Sequence, residues 1–167
     1  GMSNWMEFIG HAWTGRGDQV DYFLLDARDL ADSVWTPCDA EKGTHRCPEA
    51  IRSFPATVEG DTRNAVEEQF DVYNCSTANE AGPEYVYVLN LRHEGTLRVS
   101  VETDDADADP DIHLLSGDDA NACLIRAHES FNFDASPGRY LLVVDSWVNA
   151  DGEVLDGHYR VNIDLDR

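Results

Sequence analysis

The sequence predicts an all-β protein: an antiparallel β-sandwich, jelly-roll-like, behind an N-terminal extension of uncertain structure. Three observations lead there. From residue 69 onward, short apolar stretches recur between turn signals at roughly 8–12-residue spacing, the rhythm of sandwich strands. Thr96–Glu102 and Tyr159–Leu165 alternate apolar and polar residues, as strands with one buried face do. Gly138-Arg-Tyr-Leu-Leu-Val-Val-Asp-Ser-Trp147 follows the turn pair Pro137-Gly138 and is apolar on both faces. Such a strand belongs at the centre of a sheet covered on both sides. Asp145 shares its Leu141, Val143 and Trp147 face. A lone carboxylate there is costly to bury unless it is hydrogen-bonded or holds a cation, so Asp145 is either a structural linchpin or a ligand.

Composition narrows the function classes. The chain has 167 residues, 42% of them apolar, enough for one core-bearing domain with an extension. Twelve basic against 33 acidic residues give a net charge of −21. That argues against nucleic acid and anionic membrane surfaces as partners. No apolar run reaches the roughly 18 residues of a membrane span, so no membrane insertion is expected. Gly1-Met2-Ser3-Asn4-Trp5 lacks a basic n-region and a long apolar h-region, and Gly1 ahead of Met2 reads as the scar of a tag on an excised piece. Four cysteines with no CxxC and no zinc-like spacing predict disulfides, with three pairings open, and a secreted, periplasmic or cell-envelope protein.

Two segments are expected, 1–53 and 54–167. Within the first, Trp5–Trp13 reads as a strand or a docking segment, and Gly15–Asp18 as a loop whose RGD string is common by chance. Val20–Leu30 reads as a strand or short helix. The turn-rich patch 36–50 suits a Cys38–Cys47 bridge; the rival, a metal on Cys38, His45 and Cys47, lacks a fourth ligand. The first segment is the tail of an upstream domain or an extension over one sheet. Phe54-Pro55 and the polar run Gly60–Asn64 mark the boundary. Strands are then expected at Gln69–Tyr73, Tyr85–Leu91, Thr96–Glu102, Asp111–Leu115, Ala122–Ala127, Ser130–Asp134, 138–147 and Tyr159–Leu165. His113, between the inward Ile112 and Leu114, is expected on the solvent face.

In order along the chain stand Val58-Glu-Gly-Asp-Thr62, Phe70-Asp-Val-Tyr-Asn-Cys75, Gly82-Pro-Glu-Tyr-Val-Tyr87 and Gly95-Thr-Leu-Arg-Val99. Asp109-Pro-Asp-Ile-His-Leu-Leu115, Cys123, Ala135–Asp145 and Gly157-His-Tyr-Arg-Val161 follow. This series resembles the bacterial pre-peptidase C-terminal domain family over about two thirds of the chain. The resemblance implies a jelly-roll-like sandwich attached to secreted hydrolases. Such a module is accessory: it aids secretion or localisation or binds insoluble polymers, some members bind calcium near the module's start, and the module is not known as a catalyst. It also implies a Cys75–Cys123 disulfide and structural roles for Asp109, Asp111 and Asp145, each accepting backbone N–H bonds in a tight corner.

Candidate sites follow from residue type. Asp105, Asp107, Asp109 and Asp111, beside Asp104, are alternate carboxylates on a turning loop that would converge on Ca²⁺, although the EF-hand glycine and closing glutamate are missing. Glu59, Asp61, Glu67, Glu68 and Asp71 form a second candidate, matched to the family's calcium region by place only. No catalytic residue is expected: Ser116, Ser130, Ser136 and Ser146 sit in no nucleophile elbow. Trp5, Trp13 and Trp35 are candidate ligand-stacking residues, with packing of the extension as the alternative. The expected function is a non-catalytic accessory module that binds a polysaccharide, peptidoglycan or protein polymer, or positions a parent hydrolase domain. The alternatives are a structural or secretion-assisting domain without a ligand, and a small hydrolase with its site between the extension and the sandwich.

Overall fold

A computed structural model describes residues 42–166. The expectations on Trp5, Trp13, Trp35, Cys38, the RGD loop and the two segments near 5–13 and 20–30 lie outside the described residues. Among the described residues nine strands run in order: β1 (Glu49–Ile51), β2 (Ala56–Asp61), β3 (Tyr85–Leu91), β4 (Gly95–Glu102), β5 (Pro110–Leu115), β6 (Cys123–Ala127), β7 (Ser130–Ala135), β8 (Gly138–Ser146) and β9 (His158–Asp166). They form two sheets, ordered β1-β3-β8-β5-β6 and β2-β9-β4-β7. All neighbours pair antiparallel except β1, which runs parallel to β3 at the sheet's edge.

The all-β sandwich is therefore observed. Alternation sets its core. Tyr87, Leu89 and Leu91 of β3, Ile112 and Leu114 of β5, and Tyr140, Leu142 and Val144 of β8 face Leu97, Val99 and Val101 of β4 and Tyr159, Val161 and Ile163 of β9. Each such fully buried aliphatic side chain contributes about 1.5–3 kcal/mol of hydrophobic stabilisation. The strand centred on Leu142 lies in mid-sheet between β3 and β5, as its two apolar faces predict.

Two features depart from the sequence reading. The sheet takes in β1, which precedes the boundary expected at 53. Gln69–Tyr73 is not a strand: residues 65–84 make only an isolated bridge, Glu67 to Glu84. Instead this segment lies over the outer face of the five-stranded sheet. Phe70 and the fully buried Tyr73 pack there on Val86, Val88, Leu115, Leu141 and Val143. The apolar residues that suggested a strand serve as anchors of an irregular cover. The Cys75–Cys123 disulfide ties the cover to β6. Gly82 lets it pass β8 closely, since a Cβ there would lie 2.4 Å from the Ser146 carbonyl oxygen. Buried Ser146 Oγ then holds the seam, 2.8 Å from Thr62 Oγ1 and 2.9 Å from the Pro83 oxygen.

Candidate functional site

Beneath the cover lies a cluster of titratable side chains. β5 and β8 pair with Asp111 directly opposite Asp145, both on the outer face and both fully buried. His113 stands two residues along β5 on the same face. The expectation of a solvent-facing His113 is thus corrected: the outer face is roofed, and His113 is fully buried. It stacks on Tyr73 at 3.9 Å between ring centroids with an 18° tilt. From the cover come Glu80 and Glu84, also fully buried, and from the turn ahead of β1 comes His45.

Tyr73 donates its hydroxyl hydrogen to Asp145 Oδ2 at 2.7 Å, and the Ser146 N–H donates to Oδ1 at 2.8 Å. Asp145 is therefore hydrogen-bonded. Burial, then the charge of Glu84, raises its pKa well above the usual carboxylate range. Burial and the Asp145 charge raise Tyr73 too. Asp111 is pushed up to about 6 by burial and the charge of Glu80, against the pull of Arg126. Arg126 Nη2 donates to Asp111 Oδ2, and its Nε lies 3.5 Å from Glu80 Oε1. Glu80 is raised by burial. His113 is pushed down to about 3, chiefly by burial. Its Nε2 lies 3.6 Å from Glu80 Oε1, too far for a hydrogen bond.

Among the described residues, two groups of side chains have the donors for a metal ion. His45, Glu67 and Glu84 form one. His45 Nε2 is 2.9 Å from Glu84 Oε1, a close contact without aligned hydrogen-bond geometry. Glu84 also accepts the Gln69 and Phe70 N–H groups at 3.2 and 3.4 Å, and Glu67 accepts that of His45 at 2.6 Å. The other group is Asp109, Asp111 and His128. His128 Nδ1 lies 2.9 Å from Asp109 Oδ1 and 3.4 Å from Asp111 Oδ1. A third set, Cys75, His113 and Cys123, has its sulfurs joined in the disulfide.

The structure thus brings together only part of each acidic set read from the sequence. Asp109 and Asp111 converge, whereas Asp105 pairs with Arg63 at 3.2 Å and Asp107 is exposed. Glu67 joins a cluster. Glu59 binds Arg160 and Asp61 binds Arg63, which holds the Asp61 carboxyl below its usual range. Glu68 and Asp71 are exposed. Asp145 accepts a backbone N–H, but Asp109 and Asp111 are held by His128 and Arg126 side chains. His45, read from the sequence as a partner of Cys38 and Cys47, instead groups with Glu67 and Glu84; Tyr73, Glu80, Glu84, Arg126 and His128 were not singled out. A signal existed for His113: alternation along β5 puts it on the face of Asp111, which the cross-strand register then sets beside Asp145.

His45, His113, His128 and His158 each lie against carboxylates, and among the described residues none pairs with a serine hydroxyl or a free thiol. A second feature lies at one end of the sandwich. An open groove of about 1130 Å³ there is lined by Arg52, Phe54, Asn90, Arg92, His93 and Asp166, among others. Arg52 and Arg92 are exposed and make no ion pair among the described residues, unlike Arg63, Arg98, Arg126, Arg139 and Arg160. No helix among the described residues is long and apolar enough to cross a membrane.

No protein-family model matches the sequence, and no curated protein is significantly similar to it. Solved structures with a similar fold include the pre-peptidase C-terminal domain of a collagenase from Bacillus anthracis, at 21% identity and a TM-score of 0.45, covering 70% of this chain and 96% of that one. A periplasmic inhibitor of g-type lysozyme from Aeromonas hydrophila matches at 14% identity and a TM-score of 0.43, over 69% of this chain and 94% of its own. The Yersinia pseudotuberculosis-derived mitogen matches at 14% identity and a TM-score of 0.42, over 66% and 86%.

Proposed function

We propose that this chain is a non-catalytic β-sandwich module of a secreted or envelope protein, and that it binds a polymer and so positions a parent hydrolase. The observation that carries the reading is the end groove. In a chain of net charge −21, Arg52 and Arg92 have no carboxylate partner among the described residues and line the same groove beside His93. An arginine left unpaired among so many acids is available to a ligand, and its planar fork suits carboxylate or phosphate groups. The Cys75–Cys123 disulfide supports an oxidising compartment. Peptidoglycan and collagen carry carboxylates that suit the groove, whereas chitin and cellulose are uncharged. A bound cation would act as a stabilising ligand rather than as a reagent.

The test is retention of the purified chain on insoluble peptidoglycan, chitin, cellulose and collagen, with calcium and with chelator. Retention on peptidoglycan that falls at least tenfold in Arg52→Ala/Arg92→Ala, with an unchanged melting temperature, supports the reading. Retention on no polymer removes polymer binding and leaves the structural or secretion-assisting role.

A further inference from the structure

Asp109, Asp111 and His128 come from two places: the start of β5, and the turn between β6 and β7. Their donor atoms all lie within 4.8 Å of one another. Asp111 is fully buried. Its Oδ2 is taken by Arg126, while Oδ1 has no hydrogen-bond partner and points to His128 Nδ1 at 3.4 Å. A buried carboxylate oxygen with no hydrogen bond, and only an imidazole at 3.4 Å, is costly, and a cation at that point would remove the cost. Charge favours one. Three carboxylates, those of Glu80, Asp109 and Asp111, stand against one guanidinium, Arg126, and one imidazole.

We propose that Asp109, Asp111 and His128 bind a divalent transition-metal ion of the zinc class. The donor set decides the class. Calcium takes about six to eight oxygens, which this site does not assemble, whereas one imidazole nitrogen with two carboxylate oxygens suits Zn²⁺. Three protein donors leave a fourth position. Asp109 and His128 also line an open groove of about 480 Å³, together with Thr103 and Glu129 among others. The exposed His128 and half-buried Asp109 provide the entry path, and Arg126 fixes the orientation of Asp111 from behind. The His45–Glu67–Glu84 group is the weaker candidate, because Glu84 and Glu67 already accept backbone N–H groups there. This site is independent of the polymer groove.

The experiment is calorimetric titration of the full chain with Zn²⁺ and, separately, with Ca²⁺, alongside the visible spectrum of the Co²⁺-loaded protein. One Zn²⁺ site is expected, with Co²⁺ ligand-field bands of low coordination number and no comparable Ca²⁺ binding. Asp109→Asn and His128→Ala should each weaken Zn²⁺ at least tenfold. Both residues reach the surface, and circular dichroism checks that the variants fold. His45→Ala should leave the affinity unchanged. The proposal is overturned if the parent binds no Zn²⁺, if Ca²⁺ binds as well, if His128→Ala binds like the parent, or if His45→Ala abolishes binding.

Discussion

His113→Phe isolates the energetic role of the buried network. The substitution keeps an aromatic ring against Tyr73, where the imidazole stacks at 3.9 Å, and removes a group whose two nitrogens have no hydrogen-bond partner. The folded protein holds His113 neutral, its pKa pushed from 6.5 to about 3 by burial. Below pH 6.5 the unfolded chain therefore binds a proton that the folded chain does not, and stability falls with pH until about 3. At about 1.4 kcal/mol per pH unit, the full interval corresponds to a loss of about 5 kcal/mol. The variant has no such loss. Urea unfolding at several pH values from about 7 to about 4 measures the difference. His113→Phe should equal or exceed the parent at neutral pH, and its advantage should widen by about 3 kcal/mol between about pH 6 and pH 4. Glu80, Asp111 and Arg126 surround the ring in both proteins, so their titration largely cancels in the comparison. An advantage that does not change with pH would show that His113 accepts its proton in the folded state, and would refute the reasoning.

Two further outcomes concern the same layer. Tyr73→Phe removes the hydroxyl that donates to the fully buried Asp145 and should cost about 2 kcal/mol, read as a lower urea midpoint with an unchanged m-value. Reducing the Cys75–Cys123 bridge, whose partners are 48 residues apart, should cost about 4 kcal/mol in the chain-entropy model. It should also make residues 65–84 the first site of limited proteolysis.

Strands with a clean period were legible from the residues alone: Thr96–Glu102 and Tyr159–Leu165 show their buried faces directly, and the doubly apolar 138–147 announces mid-sheet. The cover was not legible, because Phe70 and Tyr73 anchor an irregular segment by side chains, and two or three apolar residues close together fit a strand equally well. The same ambiguity hid Glu80 and Glu84, which have no periodicity to place them. Asp145 could be flagged as expensive, but its partner Tyr73 is 72 positions away. His113 was misplaced because alternation tells which residues share a face and not whether that face is roofed. The acidic run 104–111 illustrates a further limit: composition groups its carboxylates, while the fold hands them to Arg63, His128, Arg126 and His158 separately.

The irregular cover gives the molecule two levels of cooperativity. The sheets are held by continuous ladders, but residues 65–84 hang on scattered bonds such as Asn74 N to Ala120 O and Val148 N to Asn79 O. Such a panel can lift as a unit below the free energy of global unfolding, moored at mid-length by its disulfide. Amide exchange should then fall into two classes, fast in the panel and slow in β3, β5 and β8. Each lifting event would wet Asp111, Asp145 and His113 together, so that water reaches the acid layer in rare, concerted openings while the sandwich core stays dry.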